Sequence, residues 1–294
     1  MDHQLIALYQ RHVAPAFDRQ LRFNEFLERK APGADWEYDS ETATLSFGKL
    51  KFEAPVVGSH AEHNNSWLWA WSNKHLKLTV TNRALGDTVR MLVHRLGVHA
   101  LAAPGFSLEP LLGSELTEDA AHVLGMVLSR ELDFNAYFLT PYDGGTGLTL
   151  IRDKRLAHAE RRPLARIMTV FPQVIDALTV YDHRAAFNSY VRDYGLMASD
   201  IPGGVRVTHD RGELVAAFDD RNRLTGIEGT VTAEPPKPVR SAARKKPPRK
   251  AAKKAPSRPR AGARKPAKSA QKKRVKPVSK RPTRKPARRA GKKR

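Results

Sequence analysis

Along residues 3–29, Leu5, Ile6, Leu8, Tyr9, Val13, Phe17, Leu21, Phe26 and Leu27 recur at the three- and four-residue spacing of an amphipathic helix. Pro15 inside that stretch is a point of kinking. The period then drops to two. Trp36 and Tyr38 alternate with polar residues, as do Ala43, Leu45 and Phe47, and Asp39-Ser40-Glu41 between them reads as a hairpin turn. Gly48-Lys49 turns again into Leu50, Phe52 and Ala54. Residues 55–62, the turn His63-Asn64-Asn65-Ser66 and residues 67–72 form a further antiparallel pair, because Asn-Asn tolerates the positive φ of tight hairpins. One continuous meander is the simplest reading of residues 36–72.

Helical spacing returns with Leu85, Val89, Leu92, Val93 and Leu96, capped by Thr81 or Asn82 and stopped near Gly97. Thr117 caps the next helix, with Glu118 and Asp119 in its first turn and Val123, Leu124, Val127 and Leu128 on its buried face. Residues 136–139 and 148–151 flank the turn Asp143-Gly144-Gly145 as a second hairpin. Leu164, Ile167, Phe171, Val174 and Leu178 mark a helix opened by Pro163. Asp182 caps another that carries Phe187 and Tyr190 and ends at Gly195. Residues 205–207, 214–218 and 224–227 read as three short strands. The class is α+β, with antiparallel hairpins packed against helices. Residues 1–232 form the globular part, open to a division into about 1–155 and about 163–232, and residues 233–294 form a tail.

Charge changes this picture. The chain has 294 residues with 52 Lys+Arg and 30 Asp+Glu, yet residues 235–294 hold 27 of the basic residues and none of the acidic ones. The remaining 25 basic and all 30 acidic residues leave residues 1–234 at a net of −5. The tail has 11 Pro and 11 Ala and no Leu, Ile, Phe, Met, Trp or Tyr. With almost nothing to bury, it does not offset an ordering cost of about 1–2 kcal/mol per residue, so disorder is expected. Its prolines oppose a membrane-surface helix, and without aromatic rings it offers unpaired bases nothing to stack on. Attraction to closely spaced phosphates remains.

The residues assigned to that contact are Arg244, Lys245, Lys246, Arg249, Lys250, Lys253, Lys254, Arg258, Arg260, Arg264, Lys265 and Lys268. They continue with Lys272, Lys273, Arg274, Lys276, Lys280, Arg281, Arg284, Lys285, Arg288, Arg289, Lys292, Lys293 and Arg294. Lys253-Lys254-Ala255-Pro256 and Lys265-Pro266-Ala267-Lys268 resemble the wording of linker-histone tails and of histone-like tails in some bacterial nucleoid proteins. The expected partner is nucleic acid, duplex DNA ahead of RNA, with the protein in the cytoplasm at the nucleoid. A protein-interaction or immunity-type module whose tail only localises it is the alternative, with a protein partner for the globular part.

Zero cysteines exclude disulfide scaffolds, thiolate metal sites and cysteine nucleophiles. No apolar run approaches the roughly 18 residues of a membrane span, and Met1-Asp2-His3-Gln4 does not open a secretory signal. An intracellular protein with no membrane partner is expected. Gly58-Ser59 followed by Ser66-Trp67-Leu68-Trp69-Ala70-Trp71-Ser72-Asn73 resembles a bacterial domain family of unknown function marked by such a segment. Ala136-Tyr137-Phe138 through Pro141-Tyr142-Asp143-Gly144-Gly145-Thr146 resembles its second block, so the likeness spans about residues 1–155. It implies a fold and a bacterial source but no chemistry.

Catalytic patterns are weak throughout. Trp67, Trp69 and Trp71 alternate and share a strand face, as core or as a surface for ligand stacking. His60-Ala61-Glu62-His63 has metal-binding residue types without a zinc-protease spacing, so no metal is expected. Gly144-Gly145-Thr146-Gly147 leads into a strand, which removes the helix N-terminus that a phosphate loop needs. Glu131 with Asp133, and Asp219 with Asp220, flank turns, and no Gly-x-Ser-x-Gly elbow occurs. No cofactor is expected and no catalytic motif stands out, which leaves an enzyme whose site uses Trp67, Trp71, His60 or Glu62 as a third reading.

Overall fold

The structure, a computed structural model, describes residues 2–112, 119–157, 160–210 and 212–231. The chain divides into units Met1–Pro236 and Lys237–Arg294, and every described residue lies in the first. Helix α1 (His3–Lys30) opens with Asp2, whose carboxylate accepts the backbone N–H of Gln4 and Leu5 at 3.0 Å. Strands β1 (Trp36–Asp39), β2 (Thr44–Phe47) and β3 (Leu50–Glu53) form a three-stranded antiparallel sheet of their own. Strands β4 (Val56–Ala61) and β5 (Ser66–Trp69) meet across Asn65, which sits at φ 45°. Then come α2 (Val80–Leu96), β6 (Gly105–Ser107), α3 (Glu109–Leu112), α4 (Ala120–Glu131), β7 (Ala136–Tyr142) and β8 (Gly145–Ile151). The chain continues with α5 (Pro163–Ala177), α6 (His183–Asp193), β9 (Ala198–Ile201), β10 (Gly204–His209), β11 (Gly212–Phe218) and β12 (Leu224–Val231). The fold is α+β, and every strand pairing is antiparallel.

The expected single meander breaks at Pro55. Lacking an N–H, Pro55 does not extend the β3 ladder, and its carbonyl accepts the N–H of Leu150 at 3.1 Å. That bond carries β4 into a second sheet of order β6-β5-β4-β8-β7, beside a strand some ninety residues later in the chain. A third sheet, β12-β11-β10-β9, contains β9, which its exposed and polar sequence hid from periodicity. The cap of α2 is Thr79, whose hydroxyl accepts the N–H of Asn82 at 3.1 Å. Asn82 is buried instead, and its side-chain oxygen accepts the N–H of Val56 at 3.2 Å. Asp119 caps α4, and the expected cap Thr117 lies outside the described residues.

Helix α1 joins the layers. Its first half enters a core cluster that runs from Leu5 to Phe218, shared by the five-stranded sheet, α2, α4, α5, α6 and the last sheet. Its last turns leave that cluster. Phe23 and Phe26 pack edge-on against Phe47 and Phe52 at centroid distances of 5.5–6.2 Å, in a smaller core beneath β1–β3. A rise of about 1.5 Å per residue makes a helix of this length reach both.

Candidate functional site

Strand β5 presents two unlike faces. Trp67 and Trp69 are 1% and 0% exposed and point into the main core. Their rings meet edge-on at 5.5 Å, and the Trp69 Nε1–H donates to the Leu101 carbonyl at 2.9 Å. The strand ends at Trp69, and Trp71 lies in the following 3-10 turn, Ala70–Ser72, stacked on Trp69 at 4.6 Å. For Trp67 and Trp69 the core reading therefore holds, and both are closed off from any ligand. Gly58 is required for this packing, since a Cβ there would stand 2.5 Å from the Trp67 ring.

The outward face of the same sheet is floored by small residues. Cross-strand register sets Leu68, Ser59, Gly147 and Thr140 in one row, and Ser66, Ala61, Gly145 and Tyr142 in the next. The two central strands contribute only Ser, Ala and Gly to these rows, and the Thr140 and Tyr142 side chains of β7 fold over Gly147 and Gly145. Gly145 leaves no space for a side chain, since a Cβ there would lie 2.3 Å from the His60 carbonyl oxygen and 2.6 Å from the Tyr142 hydroxyl. A groove of about 470 Å³ results, walled by Trp36, Tyr38 and Ser40 on one side and by Asn73 and Leu76 on another. Its lining contains no Lys, Arg, His, Asp or Glu. Trp36 is held edge-on to Phe138 at 5.4 Å and stays 40% exposed, while Tyr142 is 52% exposed. The Tyr38 hydroxyl donates to the Ala54 carbonyl at 3.1 Å, and burial pushes its pKa up to about 12, so that wall also stays uncharged.

A second cavity, of about 480 Å³, has the opposite character. It opens beside Asp18, whose side chain is 5% exposed on the inner face of α1. Asp18 accepts from Arg166 Nε at 2.7 Å, from Arg22 Nε at 3.3 Å and from the Tyr194 hydroxyl at 2.5 Å. Arg22 reaches Glu160 at 3.3 Å, Arg19 reaches Asp133 at 3.3 Å, and Arg130 pairs with Asp193. Burial, then the Asp18 charge, raises the Tyr194 pKa, so its phenol remains a donor. Every carboxylate on this wall has a cation within 4.0 Å. The network is a brace that ties α1 to α4, α5 and α6, with its charges already spent on one another.

Histidine 12, also on α1, meets Glu131 at 2.7 Å through Nε2. Burial lowers its pKa below 6.5 despite that carboxylate, so the neutral ring donates Nε2–H to Glu131. Burial likewise lowers His122 and His183. A histidine depressed in the folded state takes up protons preferentially on unfolding. These three are therefore expected to withdraw stability as pH falls through 6.5, the value of the unfolded group. Asp193, raised by burial, acts in the opposite sense at lower pH. Denaturant unfolding from about pH 7.5 to about pH 5.5 should show a shallower loss for His12→Gln than for the parent, and an unchanged slope would remove His12 from this account.

The remaining sequence candidates are dispersed. His60 is buried, with Nε2 3.0 Å from Asn65 Oδ1 and Nδ1 3.8 Å from Asp119, and His63 lies in the turn. No group of three His, Asp or Glu suited to a metal ion occurs among the described residues. Gly144, at φ 82°, makes the β7–β8 hairpin turn. Glu131 and Asp133 face different partners, His12 and Arg19. No described helix is long and apolar enough to cross a membrane. The basic residues from Arg244 to Arg294 lie outside the described residues. What periodicity missed is Asp18. A lone acid on an otherwise apolar helix stripe, with Arg four residues later, was the signal available.

Residues 6–154 match a family of unknown function, DUF6882. The match spans just over half of the chain, which therefore belongs to that family. It runs from α1 to β8 and contains the whole uncharged groove, whereas the brace draws Arg166 and Tyr194 from beyond it. No curated protein and no solved structure matches the chain.

Proposed function

We propose that this member of the family is a sequence-independent nucleic-acid-binding protein, acting on duplex DNA in the cytoplasm at the nucleoid. The observation that carries the reading is the charge split, 27 cations without one acid in residues 235–294 against a net of −5 before them. Lys and Arg at that density attract a phosphate backbone without reading bases, because base readout needs groups held in register with a groove. Duplex DNA carries about one charge per 1.7 Å, so the segment is sufficient for at most about 14 base pairs. The globular part, being mildly acidic, adds no general attraction and is left for a separate partner or ligand.

The core closes within Leu5–Phe218, so a chain ending at residue 231 keeps every buried residue of it. The test compares that chain with the full one in duplex DNA titrations at low salt. The full chain should bind and the shortened one should lose about a hundredfold or more in affinity. Equal binding by both would refute the reading and move the site into the acidic domain.

A further inference from the structure

The uncharged groove invites a ligand of its own, and its chemistry is narrow. A phosphate, sulfate or carboxylate entering it would lose water and meet no cation, which is unfavourable. A purely apolar ligand fits no better. Ser40 and Ser59 have no side-chain hydrogen bond among the described residues, and Asn73 uses only its oxygen, toward the N–H of His75 at 3.0 Å. Covering those groups with hydrocarbon would leave them unsatisfied. The occupant must be neutral and rich in hydroxyl or amide groups, and the small lining residues Gly58, Ser59, Ala70 and Gly147 leave it room between the exposed rings.

We propose that this groove is a binding site for a neutral saccharide. The axial C–H face of a pyranose carries partial positive charge and packs on the negative faces of aromatic rings. Here Trp36 and Tyr142 supply exposed rings held by Phe138 and by the cross-strand partner Gly145. Ring hydroxyls donate to and accept from the open Ser40, Ser59 and Asn73 groups. A volume of about 470 Å³ suits one or two sugar units. The site lies wholly apart from the basic segment in sequence, and its ligand is uncharged. Its binding is accordingly insensitive to salt, which separates it from any polyanion contact of residues 235–294.

The full chain should be screened against a panel of neutral mono- and oligosaccharides, with sulfated and phosphorylated counterparts alongside, and hits titrated by tryptophan fluorescence. At least one neutral glycan is expected to bind saturably at sub-millimolar concentration, with an affinity that changes less than twofold between low and physiological salt. Tyr142→Ala and Leu68→Lys change exposed side chains, so both should fold, and each should weaken that glycan tenfold or more. Three results would overturn the proposal: no neutral glycan bound at millimolar concentration, undiminished binding in both variants, or a polyproline peptide bound in the groove in preference to every glycan. Capture of sulfated glycans alone, with steep salt dependence, would count against it too, as a property of the basic segment.

Discussion

Raising salt from about 50 to about 200 mM should weaken the full chain's hold on duplex DNA about ten-thousandfold. If eight of the 27 cations neutralise phosphates, log K falls with log salt at a slope of roughly −7, and a fourfold rise in salt multiplies that through. The cause is entropic, since counterions released on binding are released into a solution that already holds more of them. Replacing the Lys and Arg of residues 264–294 with Gln should reduce both the slope and the low-salt affinity, because fewer counterions are displaced. Sequence scrambling of the DNA should change neither. A slope near zero, or a preference among duplex sequences of a hundredfold or more, would show that something other than phosphate density is being bound.

Asp18→Ala should cost about 3–5 kcal/mol of folding stability, the usual range for removing one partner of a buried ionic cluster. The loss exceeds that of a surface pair because Arg22 and Arg166, 21% and 18% exposed, would keep their charge and lose a neighbour they were desolvated to reach. Tyr194 would lose its acceptor as well. For a domain of this size that is a fall of about 10 °C in melting temperature. Urea unfolding provides the measurement, and a loss under about 1 kcal/mol would mean that Glu25 and Glu160 suffice for the two arginines. Asp18→Leu combined with Arg22→Met and Arg166→Met should recover part of the stability, since no buried cation is then left unpaired and the two carboxylates released, Glu25 and Glu160, are 48% and 26% exposed and keep contact with water.

Local elements were legible because their causes are local. Asp182 caps α6, Gly97 ends α2 at φ 70°, and Gly144 turns β7 into β8, each within the span of a few residues that periodicity and turn chemistry address. Edge strand β9 was not, since its residues are exposed and show no alternation. The meander prediction failed at a single residue, Pro55, whose carbonyl found Leu150 rather than the next neighbour in sequence. Register carries no local mark of which distant strand will be its partner.

The chemistry divides in the same way. Composition alone determined the charge split and with it the phosphate-binding proposal, because attraction to a polyanion depends on charge density and not on fold. Alternation in Trp67-Leu68-Trp69 said that two faces differ, and only packing decided that the indoles are core and Leu68 borders a groove. Asp18 reads as a stray acid in sequence. It becomes the centre of a brace only because Arg166 and Tyr194, 148 and 176 residues away, are brought to its two oxygens. A charge's worth is set by what surrounds it, and the surroundings of a buried charge are assembled by tertiary structure alone.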